Sequence, residues 1–199
     1  MNSGAPELRR RAVMRRATIA LALVVTVVGA EATGPQGKST RPAAPPAAKE
    51  AAERYSRLNM EGAVLNAKGR AEVAALLLGP APEVPREILV IEHVDLGEPE
   101  PTGRGTAMVV AWRSLAGSLD TATARFRSPA PGLLGKDEYD LRLVGGQWKV
   151  SAVNHLPFVG VLAAEQYVKD LVATSKDPVV QRNAERTLAA LKKLAGRGM

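Results

Sequence analysis

The chain of 199 residues contains no cysteine. Disulfides, thiolate catalysis, Cys-ligated zinc, iron–sulfur clusters and an acylated lipoprotein cysteine are thereby excluded. Aromatic residues make up only 4% of the chain, and there are only two histidines, His93 and His155, sixty-two positions apart. That separation offers no ligand spacing, so no metal is expected. No phosphate loop is present, since Gly103-Arg104-Gly105 reads as a turn, and no serine sits in a nucleophile elbow. Nothing in the residues implies a cofactor.

Net charge is also missing from the middle of the chain. The formal net charge of +7 concentrates at the two ends. Residues 1–32 carry five arginines against Glu7 and Glu31, and residues 179–199 carry five basic groups against Glu185 alone. The body between them is close to neutral, which argues against a nucleic-acid footprint.

What is there begins with an address. A basic stretch ending at Arg15-Arg16 precedes a fourteen-residue apolar run, Ala17 to Ala30, and the small-residue site Ala30-Glu31-Ala32. This is the three-part layout of a secretory signal peptide, with export to the periplasm or outside as the expected fate. An uncleaved inner-membrane anchor is the competing reading, but a spanning helix needs about 20 apolar residues. Residues 33–48 are rich in Pro and Ala and read as a linker.

From Ala47 the apolar spacing turns helical through Tyr55, Leu58, Ala63 and Leu65, interrupted at Gly62. A second short helix is expected over Arg70 to Gly79. Strands follow: Glu87 to Leu96, Thr106 to Leu115 and Ser118 to Arg127, the last two joined by a turn at Ala116-Gly117. That turn would set Arg113 opposite Asp120 and Ala107 opposite Phe126.

The clearest pattern is Tyr139 to Asn154, two alternating runs around Gly145-Gly146. A two-residue hairpin turn pairs Leu143 with Trp148, Leu141 with Val150 and Tyr139 with Ala152 on one apolar face. Asp140, Arg142, Lys149 and Ser151 fall on the solvent face. Beyond it, Val161, Ala164, Val168, Leu171 and Val172 share one helical face. A last helix, capped by Asp177 with Pro178 first, carries the stripe Val180, Ala184, Leu188 and Leu191.

Tyr139, Leu141, Leu143, Gly146, Trp148, Lys149 and Val150, following two helices and a run of long strands, resemble the nuclear transport factor two-like superfamily over roughly residues 49–154. The resemblance implies an α+β fold: two N-terminal helices packed on a curved antiparallel sheet, cone-like, with the two C-terminal helices of residues 158–199 added. It implies little about activity, because the superfamily holds isomerases, cyclases, adaptors and secretion components.

On that fold, His93 and Asp95 are the candidate acid–base pair. They stand two apart on one strand face, a spacing expected to keep them from the directed hydrogen bond of a dyad. Tyr55, Tyr139, Trp148, Asn154 and His155 are the candidate ligand-binding residues. Glu98/Glu100 and Asp137/Glu138 read as solvated loop acids. The leading function is an exported non-enzymatic domain binding a partner protein or a small apolar ligand. The alternatives are a small isomerase or cyclase with His93 or Asp95 as base, and a membrane-anchored component of an envelope assembly. Membrane contact would run through the N-terminal segment or the basic last helix.

Cleavage after Ala32, or second after Ala30, is checked by intact mass of the exported protein. A mass beginning at Met1 would overturn the signal-peptide reading.

Overall fold

The 15-residue strand β3 (Thr106–Asp120) organises the protein, because, among the described residues, every other strand but two hydrogen-bonds to it directly. In the computed structural model, residues 46–80, 83–129, 134–152 and 157–196 are described. The expected signal peptide, most of the linker, Asn154 and His155 lie outside them.

The elements run α1 (Pro46–Met60), a 3-10 turn (Ala63–Leu65), α2 (Ala67–Ala74), β1 (Glu87–Leu96), β2 (Glu100–Gly103), β3 (Thr106–Asp120), β4 (Arg125–Arg127), β5 (Leu134–Val144), β6 (Gln147–Ala152), β7 (Phe158–Gly160), α3 (Val161–Thr174) and α4 (Pro178–Ala195). The sheet order is β6-β5-β3-β1-β7, with β2 and β4 also on β3. It is an α+β fold with four helices, and its mixed sheet curls into a half-barrel. Among the described residues, no helix is long and apolar enough to cross a membrane.

Helix α1 buries Ala48, Ala52, Tyr55, Ser56 and Asn59, one face at helical spacing. Pro46 is tolerated because its missing N–H lies in the first turn, where no intrahelical partner exists. The helix stops at Met60 rather than passing through Gly62, which adopts φ 81°. Asn66 starts α2 by accepting from Gly69 N at 2.8 Å. The second helix is shorter than its sequence suggests, because Leu76 and Leu78 leave it to exchange backbone hydrogen bonds with Val150.

Strand β1 has the expected bounds, and Gly145 and Gly146 take φ of 58° and 81° as the hairpin turn requires. Leu141 faces Val150 and Leu143 faces Trp148, but a bulge brings Asp140, not Tyr139, opposite Ala152. Leu143 is exposed, so along β5 the apolar face is buried from Tyr139 to Leu141, while Trp148 and Val150 of β6 are buried.

The expected turn at Ala116-Gly117 is absent. β3 runs straight through it, and the chain reverses at Thr121–Ala124, with Leu119 opposite Phe126. Ala107 therefore faces Leu141, and Arg113 is set against Val94 and Gly135. Gly117 serves close approach instead of reversal. A Cβ there would fall 2.5 Å from the Arg127 carbonyl oxygen and against the Phe126 ring. The adjoining register shifts, between Val90 and Ile91 and between Ile91 and His93, bend the sheet at this level.

The C-terminal residues begin with a strand, not a helix: Phe158–Gly160 adds β7 parallel to β1, through Leu89 with Phe158. Helices α3 and α4 then hold the β3–β4 turn. Tyr167 Oη donates to Thr121 O at 3.0 Å, Asn183 Nδ2 to Thr123 O at 3.0 Å and Thr187 Oγ1 to Ala124 O at 2.7 Å. Phe126 N returns a bond to Thr187 Oγ1 at 3.2 Å. Asp177 caps α4 by accepting from Val179 N, and Val180, Ala184, Thr187 and Leu191 are its buried face.

Gly117→Val tests the close approach. It should destabilise the fold by about 1–3 kcal/mol, read as a lower urea midpoint. A true turn at Ala116-Gly117 would tolerate valine no better but would leave Phe126 solvent-accessible to quenching.

Candidate functional site

The inner face of the half-barrel is set by parity on β3. Ala107, Val109, Ala111 and Arg113 alternate inward, and Trp112 points outward and is exposed. An arginine thus stands on the core face, 2% exposed, where the sequence suggested a cross-strand pair with Asp120.

A buried guanidinium is costly unless paired. Arg113 Nη2 pairs with Asp137 of β5, an acid expected in a solvated loop. Its guanidinium carbon lies 4.3 Å from the centre of the Phe158 ring and 6.0 Å from that of Tyr139. Among the described residues, Arg113 Nε has no hydrogen-bond partner. Burial lowers the Arg113 pKa from its ordinary value, with nearby Tyr139 and Tyr55 opposing.

Tyr55 from α1 and Tyr139 from β5 meet edge to face, 5.4 Å between centres. Ser56 Oγ donates to Tyr139 Oη at 3.2 Å, and Asn59 Nδ2 to Tyr55 O at 2.8 Å. Burial pushes both phenols up, so they stay neutral donors at neutral pH. The two ligand candidates are therefore brought together, but as buried packing groups. Trp148, on β6 opposite Leu143, is also mostly buried.

His93 and Asp95 lie elsewhere. Asp95 is directly opposite Trp112, so the pair shares the outer face and not the core face. Their spacing does permit a directed bond: His93 Nε2 is 2.8 Å from Asp95 Oδ1. The bulge after Ile91 is the local departure from a regular strand that separates this observation from the regular-strand expectation. Both side chains are about 70% exposed, at 68% and 70%.

Beside them runs an open groove of about 430 Å³ between α1 and β1. Lys49, Glu53, Ser56, Arg57 and Met60 form one wall, and His93 to Leu96 form the other. Lys49 closes one end through an ion pair with Glu98, which raises the lysine pKa. Ser56 joins the two regions, since it lines the groove and donates to Tyr139. Among the described residues, no three acidic or histidine side chains converge as a metal site would need.

Arg113 was legible only as a charge in an alternating strand. Its inner and outer neighbours, Ala107, Val109 and Ala111 against Met108, Val110 and Trp112, are equally apolar. The signal that marks it is a diagonal acid, Asp137, which stands opposite Ala111 and two positions from Gly135, the partner of Arg113, visible once β5 is in register.

Breaking the pair and replacing it should differ. Asp137→Ala leaves a buried cation and should cost roughly 3 kcal/mol, whereas replacing both partners, Arg113→Met with Asp137→Leu, should be near neutral or stabilising. Chemical denaturation of both variants checks this, and equal losses would contradict it. No family model, curated protein or solved structure significantly matches this chain.

Proposed function

We propose that the chain is an exported, non-enzymatic domain that binds a protein partner along the groove between α1 and β1. The observation carrying this reading is the groove's composition: an open trough whose walls mix charged side chains with Met60, Val94 and Leu96. Mixed, open surfaces suit protein contacts, and small apolar ligands favour enclosed apolar cavities. On the core face, Ser56 is bonded to Tyr139 and Arg113 is paired with Asp137.

Export is supported by the three-part layout of residues 1–32. Kinship with the nuclear transport factor two-like superfamily is supported by the last hairpin together with a curled sheet whose core receives Tyr55 of α1. Acid–base catalysis by His93 and Asp95 is a second reading, favoured by their 2.8 Å contact in the groove wall. Their exposure weighs against it, because water at the pair weakens the electrostatic advantage of a catalytic site.

A photo-crosslinking residue at Arg57 should give a protein adduct in the native host, and one at Gln147, exposed on the far edge strand β6, should not. No adduct at Arg57, or equal adducts at both, would overturn the groove assignment.

A further inference from the structure

We propose that the occupant of the groove is a second copy of this chain, paired edge to edge through β1 about a two-fold axis at Val94. This rests on the groove reading above and names its partner.

The two ends of the sheet are finished differently. At the β6 end, Leu78 N donates to Val150 O and Val150 N to Leu76 O, both at 2.8 Å, so that edge is filled. At the other end β7 covers only Leu89 to Ile91. Among the described residues, Glu92 to Leu96 have no strand partner on that side. Gly97 N donates to Val110 O, so by alternation His93 and Asp95 turn their backbone groups to β3. Val94 and Leu96 present theirs to the groove. Pro99 and Pro101 end the usable edge.

Charged residues on an edge strand normally repel other strands. Here they select one. Antiparallel pairing about Val94 sets His93 opposite Asp95 of the second copy, and Asp95 opposite its His93. Centred on Asp95 instead, the same strands would set two aspartates face to face. Self-pairing is thus favourable in one register and opposed in its neighbour.

Light scattering after gel filtration, over a concentration series of the full chain, tests this. Wild type should have twice the chain mass. His93→Asp should raise the dissociation constant by about tenfold, because carboxylates then face each other. The swap His93→Asp with Asp95→His should restore it, since an imidazole again faces each carboxylate. Val94→Pro removes the outward N–H without touching the β1–β3 ladder, and should give a monomer with unchanged circular dichroism. A wild-type monomer at every concentration, a dimeric Val94→Pro, or a double swap as weak as the single would each overturn the proposal. If the wild type is monomeric while Arg57 crosslinks to a chain of different mass, the groove reading stands and self-pairing falls.

Discussion

A guanidinium inside an otherwise apolar half-barrel constrains everything around it. Arg113 must keep its charge partnered, and the partners come from separate strands: Asp137 on β5 beside β3, and Phe158 on β7 beyond β1. One side chain therefore ties strands on both sides of β3. The tyrosine pair then fills the space that the arginine stem leaves, and Ser56 carries the network out to the groove. Hydrophobic burial supplies most of the stability, but the arginine limits how those strands can be arranged.

The helices at the C-terminal end are integral for a similar reason. Thr121 to Ala124 form a reversal with a non-glycine residue in the left-handed region, Ala124 at φ 55°. Such a conformation costs free energy and persists where surrounding bonds hold it. Asp120 accepts from the N–H groups of Ala122 and Thr123, and these outweigh its burial to hold the carboxyl below its usual pKa. Tyr167, Asn183 and Thr187 secure the carbonyls. What periodicity presents as two appended amphipathic helices is, in three dimensions, the clamp on a turn.

Local signals were readable from residue order alone. The bounds of β1, the Gly145-Gly146 hairpin and the Asp177 cap each rest on neighbours in sequence. Gly117 shows where such reading stops: a glycine is equally apt for a turn and for close approach, and only Phe126, brought over it by tertiary packing, decides. β7 is three residues long, too short for a periodicity to emerge. Of the candidate residues, Tyr139 was expected on an apolar face and is buried, whereas His93 and Asp95 lie on the outer face of β1 and not with Ile91 in the core. A bulge and a choice between two equally apolar faces of β3 set those faces, and neither leaves a mark in composition.

The parallel pairing of β7 with β1 bears on how the chain acquires its structure. Leu89 meets Phe158 only after the intervening strands have been made, so the element that completes the core on that side is contributed late. Pairings between distant segments slow folding, because chain entropy is lost before contacts repay it. With β7 still undelivered, Arg113 lacks its aromatic cover, so the segment that seals the buried charge is the last of the sheet to arrive.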